Sequence, residues 1–289
     1  MIDVSILMVS YNTRDLTLES LRALPAACPG LTFEIIVVDN ASSDGSADAI
    51  SAEFPSARVE RSNENLGFAR AVNLAASQAT GRYLLLLNPD TVPDGPFVAE
   101  LAEFAGKNPE SRIYGGRTVR EDGRDYLAGY KFPSIPLYLW FATGMSILYN
   151  IEELPRLDRS RPTAVPALSG CLLMIDWELW RSLEGFDPDF FMYCEDADLC
   201  WRATLAGAQP TLVPTARIIH LGGRASTSTA RKVELLMRGK ISFVRKHWSP
   251  PKARLGRLLL LAGVGFRAFL RREPWLSAWR TRATWRNGW

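Results

Sequence analysis

An α/β fold on a mostly parallel sheet, with helices on both faces, is predicted by three observations. Short apolar runs at Val4–Val9, Ile35–Val38 and Tyr83–Leu87 alternate with segments of helical spacing. The runs are apolar along almost their whole length, as strands buried on both faces must be. Each run ends in a polar cluster: Ser10-Tyr11-Asn12, Asp39-Asn40 and Asn88-Pro89-Asp90. In open α/β sheets ligands bind beyond the carboxyl ends of the strands, so these clusters mark one candidate site.

Between the runs, Leu16–Leu24 has helical spacing, Gly45–Phe54 reads as a short helix and Arg58–Arg61 as a short strand. Gly67–Ala79 reads as a helix closed by Gly81. The second half is less regular. Leu172–Ile175, Thr211–Val213 and Arg217–Leu221 read as strands of a mixed sheet edge, and Trp177–Leu183, Glu195–Ala206 and Lys232–His247 as helices. Phe132–Ile151 carries no charge over 20 residues, but its prolines and polar residues argue against a membrane span.

A length of 289 residues suits one domain with an appendage. The expected division is a domain over 1–250, with a ligand-binding half at 1–110 and a second half at 111–250, then a tail over 251–289. The net charge of +3 conceals an asymmetry: from Lys252 onward there are nine basic residues and one acid, which leaves −5 for the body. An acidic body excludes a nucleic-acid binder with a basic face, and a basic tail suits an anionic surface. Cys28, Cys171, Cys194 and Cys200 form no Cys-x-x-Cys pair, so they are read as free thiols of a reducing cytoplasm. Ile2–Ser10 reads as a strand without a basic flank, so no signal peptide is expected.

Several residues at the strand ends have chemistry to offer. Asp39 can accept hydrogen bonds from a base or a ribose, although Asp39 and Ser42 also fit a simple helix cap. Asp90 can hold a hard cation that shares phosphate oxygens, although Asn-Pro-Asp is also good turn chemistry. Glu195, Asp196 and Asp198 open a helix, where acids are favoured, but three in four positions exceed what a cap needs. Their mutual repulsion can raise one pKa towards that of a general base. His220, one of two histidines, ends an apolar strand and can complete a metal site or be structural. Asn63–Ala69 precedes a helix and offers backbone N–H groups to a phosphate or sugar. No Walker loop or G-x-G-x-x-G is present, which excludes a P-loop NTPase and a nicotinamide dehydrogenase.

Taken in order, Ser-Tyr-Asn, Val-Asp-Asn-Ala-Ser-x-Asp-Gly, Asn-x-Gly-Phe-x-x-Ala, Leu-Leu-Leu-Asn-Pro-Asp, Gly-Phe-Asp-x-x-Phe-Phe-x-Tyr-x-Glu-Asp-x-Asp-Leu and His-x-Gly-Gly resemble the family 2 glycosyltransferases of the GT-A fold. Within that family the chain resembles the bacterial rhamnosyltransferase group, over about residues 3–225. The resemblance implies a Rossmann-like sheet and an inverting transfer of a sugar from a nucleotide diphosphate to an acceptor hydroxyl. The donor implied is deoxythymidine diphosphate rhamnose, and the acceptor a glycan or polyprenyl-linked glycan of the cell envelope. It further implies that Ser10, Tyr11, Asn12 and Asp39 hold the nucleoside, and that Asn65, Gly67 and Asn73 line the donor pocket. Asn88 and Asp90 would match the family's Asp-x-Asp motif, with Asp90 and His220 binding Mg²⁺ or Mn²⁺. Asp196 would be the catalytic base, beside Glu195. Asn88 departs from the pattern, since the family often has its first Asp there.

Arg254–Arg272 reads as an amphipathic helix. Leu255, Leu258, Leu259, Ala262, Phe266, Phe269 and Leu270 share one face, and Arg254, Arg257, Arg267, Arg271 and Arg272 fall largely on the other. With four tryptophans beyond, the tail is expected to lie on the cytoplasmic face of the cell membrane, or to pack on the body or on a partner chain. Two other classes compete. A catalytically inactive nucleotide-sugar binder or membrane scaffold would lack acids at the base or metal positions, and a nucleotidyltransferase would usually carry a basic, glycine-rich loop near the N-terminus.

Overall fold

The structure is a computed structural model that describes residues 1–126, 128–147, 154, 160–221 and 229–289. The first half lays down β1 (Val4–Ser10), α1 (Arg14–Ala27), β2 (Phe33–Asp39), α2 (Ser46–Glu53), β3 (Arg58–Arg61), α3 (Gly67–Ala76) and β4 (Tyr83–Leu87). The four strands are parallel, with Val4 paired to both Phe33 and Tyr83. Alternate residues of these apolar strands supply two cores. Leu7, Leu84 and Leu86 face one helical layer, and Ile6, Met8, Leu85 and Leu87 face the other, which explains why no polar alternation was visible.

The chain continues through β5 (Thr91–Asp94), α4 (Phe97–Lys107), β6 (Ile113–Val119), β7 (Gly129–Tyr130), α5 (Ile135–Ala142), β8 (Thr163–Ala164), β9 (Ala167–Leu168), β10 (Leu172–Asp176), α6 (Trp177–Ser182), α7 (Glu195–Leu205) and β11 (Thr211–His220). It then turns helical in α8 (Thr229–His247), α9 (Pro250–Phe269), α10 (Trp275–Arg280) and α11 (Arg282–Trp285). The main sheet runs β3-β2-β1-β4-β10-β6-β11-β5, with β8 on β11, and β7 pairs with β9 apart from it. Only β10, β5 and β8 run against the rest. The two expected strands at 211–213 and 217–221 are one strand with a bulge, and β5 and β6 are additional to those expected.

That bulge positions the site. Only Asn88, Pro89 and Asp90 join β4 to β5, yet β10, β6 and β11 lie between them in the sheet. In a flat sheet, β4 and β5 would be about 19 Å apart. Four Cα steps reach at most about 15 Å. The sheet therefore curls. The register shift between Val213, paired with Gly116, and Arg217, paired with Arg117, provides the bend. Gly116 leaves the space for it: a Cβ there would lie 2.4 Å from the Ala216 carbonyl oxygen and 2.4 Å from a Leu172 methyl.

Residues 251–289 pack on the body. Ala253, Leu260, Val264, Ala278 and Trp285 belong to the same apolar cluster as Leu7 and Leu84. The helix expected over 254–272 starts earlier, at Pro250, because proline suits a first helical turn. Arg267, expected on the polar face, is buried. Its guanidinium donates to the Phe141 and Gly263 carbonyls at 2.8 Å each and covers the Phe141 ring. In the uncharged stretch, α5 is followed by a single 3₁₀ turn at Met145–Ile147, and residues 148–151 lie outside the described residues. Among the described residues no helix is long and apolar enough to cross a membrane.

The bend makes a stability prediction. Gly116→Ala should lower the urea-unfolding free energy by about 2 kcal/mol, because the added Cβ would collide with the Ala216 backbone carbonyl as well as with a buried Leu172 methyl.

Candidate functional site

The strand ends converge on one rim. At its β1–β2 end, two loops are stitched together. The Asn12 amide N–H donates to Ser42 Oγ, and Asn12 Oδ1 accepts from the Ser43 N–H at 2.8 Å. This locks Asn12 at a positive φ of 54°. Ser10 is fully buried and its hydroxyl is engaged by Thr13 and Thr17. Tyr11 is 39% exposed. Asp39 is buried; one of its carboxylate oxygens accepts from the Ser42 N–H, and the other has no hydrogen-bond partner. An orphan buried acceptor is costly unless a ligand supplies the donor.

The neighbouring loop is held by Asn40, a residue the sequence did not single out for a role. Its amide donates to Asn65 Oδ1 and the Gly67 carbonyl, and its oxygen accepts from the Leu66 N–H. Gly67 has φ +79°, and a Cβ there would sit 2.4 Å from the Phe191 carbonyl oxygen, which accepts from the Phe68 N–H. Asn73 pairs both ends of its amide with the backbone of Phe186. Gly67 and Asn73 thus dock α3 on the 186–191 segment.

In the middle of the rim, the Asn88 N–H donates to the Cys171 carbonyl, and Asp90 lies buried beside His220. His220 Nε2 is 3.5 Å from Asp90 Oδ1, too long for a good hydrogen bond, and Oδ1 has no hydrogen-bond partner among the described residues. Tyr126 stacks on the imidazole at 4.8 Å, with Arg120 above it. Burial lowers the pKa of His220 despite Asp90, which favours the neutral imidazole that metal ligation requires. A buried orphan carboxylate oxygen beside a neutral imidazole fits a divalent cation. No group of three His, Cys, Asp or Glu side chains gathers among the described residues, so a cation would rely on these two, with ligand oxygens and water completing its shell. Gly222 and Gly223, the end of the His-x-Gly-Gly motif, lie outside the described residues.

The second group of acids stands at the start of α7, after Tyr193 and Cys194, both at φ +70°. Two consecutive left-handed non-glycine residues store strain of about 1–3 kcal/mol each. The turn is held by α8, whose Gly239 lets the Tyr193 carbonyl approach; a Cβ there would be 2.2 Å from it. Asp196 accepts from the Tyr130 hydroxyl at 2.5 Å, the Ala197 N–H at 2.8 Å and the Gly170 N–H at 3.0 Å. Burial raises its pKa, and these three hydrogen bonds oppose the rise without cancelling it. Glu195 is buried with one oxygen unpartnered. Desolvation, then the like charge of Asp196, hold its pKa well above the carboxylate range. Asp198 has the opposite fate. Burial alone would raise its pKa, but His247 Nε2 at 2.8 Å, Arg202 at 2.7 Å and Lys246 at 2.8 Å bring it down to about 2.

Both acid stations border one turn. Gly170 binds Asp196 and the next residue, Cys171, binds Asn88. Asp90 and Asp196 both raise the pKa of the Cys171 thiol, after burial, and Asp90 and Glu195 both act on Tyr193, which burial first pushes up to about 12. Tyr130 was missed by the sequence reading because a two-residue pairing, β7 with β9, brings it to Asp196 across 66 positions. No local pattern signals such a pairing.

A curled parallel sheet with acids gathered on its carboxyl rim is the GT-A architecture, and solved structures share it. A mannosyltransferase from Pyrobaculum calidifontis in complex with GDP-Man and Mn²⁺ superposes with a TM-score of 0.61 at 18% identity, over 97% of this chain and 79% of that one. GalNAc-T7 with UDP, GalNAc and Mn²⁺ gives 0.59 at 18% identity, over 86% and 49%. The model of the family "Glycosyl transferase family 2" matches residues 5–180, and the chain belongs to that family. Among curated relatives, the N-acetylglucosaminyl-diphospho-decaprenol L-rhamnosyltransferase of Mycobacterium tuberculosis is 27% identical over 207 residues, 64% of this chain and 66% of the relative. Rhamnosyltransferase WbbL of Escherichia coli is 28% identical over 141 residues, 48% and 52%. The matched stretches thus span between half and just under two thirds of these relatives.

The acids make opposite predictions for stability. Asp198 has a folded pKa below its unfolded value of 3.8, so its contribution of about 2 kcal/mol is full above about pH 4 and fades as pH falls towards 2. Asp198→Asn should lose it and remove the carboxylate that Arg202 and Lys246 share, measurable as a lower urea midpoint at pH 7. Glu195 has a folded pKa above 4.5, so its ionisation costs stability increasingly as pH rises past that value. Glu195→Gln should raise the midpoint at pH 7 and leave it unchanged at pH 4.

Proposed function

We propose that the chain transfers a sugar from a nucleoside diphosphate to an acceptor hydroxyl with inversion, by one in-line displacement. The observation that carries this reading is the pair of acid stations on the turn at 169–171, with a carboxylate–histidine pair on one side and a carboxylate of raised pKa on the other. Asp196 accepts the proton of the attacking hydroxyl, and Tyr130 and the Gly170 N–H hold its carboxylate in position. Asp39, through its orphan oxygen, and the exposed Tyr11 ring hold the nucleoside. Asp90 and His220 would hold Mg²⁺ or Mn²⁺, and that ion would supply positive charge to the departing diphosphate. Asn88 supplies no charge to that site. A nucleotide-sugar carrier without chemistry would have no use for two adjacent buried carboxylates of raised pKa, which lower its stability.

Rhamnose from deoxythymidine diphosphate rhamnose is the proposed donor sugar, because both bacterial relatives bear the name rhamnosyltransferase. The mycobacterial name specifies a diphospho-decaprenol acceptor. By extension, a polyprenyl-linked glycan at the cytoplasmic face of the cell membrane is the proposed acceptor here.

A panel of nucleotide sugars with Mg²⁺ or Mn²⁺ tests the reading, with nucleotide release as the readout; no release with any donor and lipid-linked acceptor would overturn it. Asp196→Asn should lower kcat by about three orders of magnitude with the donor Kd within about twofold of the parent. Near-normal turnover would remove Asp196 from the role. Tyr130→Phe deletes a hydrogen bond that lowers the Asp196 pKa, so the acid limb of the kcat profile should move to higher pH.

A further inference from the structure

Helix α9 is packed inside out. A surface helix normally turns its large apolar residues inward. Here the inward face is Ala253, Gly256, Leu260, Gly263, Val264, Arg267 and Ala268. The glycines set a close approach to α5: a Cβ at Gly263 would lie 2.3 Å from the Phe141 ring, and one at Gly256 would lie 2.7 Å from Trp248 and 3.4 Å from Tyr138. The large residues are left outside. Leu255 is 46% exposed, Leu258 58%, Phe266 41%, Phe269 82% and Leu270 45%. At about 100° per residue they occupy one sector of about 120° along the helix. The strip extends beyond α9. Phe266 lies over Gly144, next to Met145, which is 40% exposed, and Leu139 on α5 is 53% exposed. So many large exposed apolar side chains on one short stretch of chain are uncommon on a soluble surface and mark a contact.

Charge decides what covers it. Arg254 lines one edge, Lys252 stands at the other over Trp248, and Arg271 and Arg272 follow the last turn, all exposed, with Glu273 the only acid of the segment. Two copies of the strip face to face would bring cations against cations. An anionic lipid surface would meet both the apolar strip and its basic border. The helix spans about 30 Å, long enough for its whole length to lie along a bilayer.

We propose that the outer face of α9, with Leu139 and Met145, is a docking surface that lies in the interface of an anionic membrane. The surface is continuous along the chain with the site: Tyr130, which holds Asp196, lies just before α5. Docking would bring a lipid-linked acceptor to the base. Only that last consequence rests on the proposed sugar transfer; binding to lipid does not.

The full chain should sediment at low salt with vesicles of phosphatidylcholine mixed with phosphatidylglycerol, weakly with phosphatidylcholine alone, and less as salt rises. Leu258→Gln combined with Phe269→Gln should weaken binding to the mixed vesicles by about tenfold or more, with the thermal midpoint and the nucleotide release with a soluble acceptor unchanged. A second variant, Arg254→Gln with Arg272→Gln, should lose the preference for anionic vesicles. Absence of binding to mixed vesicles, binding unchanged in the first variant, or a dimer in solution that the first variant dissociates would each overturn the proposal. Vesicle binding without sugar transfer would leave docking standing and remove the enzymatic reading.

Discussion

Four consecutive residues at the entry to β10 hold the site together. The Leu168 N–H meets Cys200 Sγ on α7, the Ser169 N–H meets the Ala128 carbonyl, the Gly170 N–H meets Asp196, and the Cys171 carbonyl receives the Asn88 N–H. Three separate segments, α7, the stretch at Ala128 and the link at Asn88, are thereby fixed by one short stretch of backbone. Backbone groups buried near the middle of a sheet must find partners, and here satisfying them sets where Asp196 and Asn88 lie relative to one another. The distance between the two acid stations is thus a property of peptide hydrogen bonding, which is stiffer than any pairing of long side chains.

The three acids of α7 show how one helical turn makes two kinds of carboxylate. Asp198 meets Arg202 of its own helix and Lys246 and His247 of α8, and the two α8 partners fix α7 against α8. Glu195 and Asp196 point to the rim, where Asp196 receives neutral donors only and Glu195 keeps an oxygen without any. Neutral donors orient a carboxylate while opposing its rise in pKa only in part, whereas cations pin it in the charged form. The strained pair Tyr193 and Cys194 turns the chain so that the acids divide in this way.

Much of this was legible in the sequence, for reasons that are themselves physical. Strands buried on both faces must be apolar throughout, so β1, β2, β4 and β10 announced themselves, and polar residues just beyond Val9, Val38 and Leu87 marked the rim. The residues that complete the site were hidden because long-range pairing supplies them. Nothing near Tyr130 or Asn40 distinguishes them from a core tyrosine or a turn asparagine, and their roles depend on β7 meeting β9 and on the 63–67 loop crossing β2. The outer face of α9 was read correctly as apolar, yet its orientation was beyond reach. Periodicity locates a stripe on a helix without saying whether the core or the solvent receives it, and here small residues won the inner side because Gly263 and Gly256 admit closer packing than leucine does.

The three-residue link between β4 and β5 works as a ruler. It bridges the mouth of a curled sheet with little slack, so the number of residues from Leu87 to Thr91 is constrained more tightly than their identities. An asparagine can therefore stand at position 88 while Asp90 keeps its address beside His220. Lengthening the link by a single residue would shift the carboxylate relative to His220 even if every side chain were retained, so the count of residues in the link carries information that its letters alone do not.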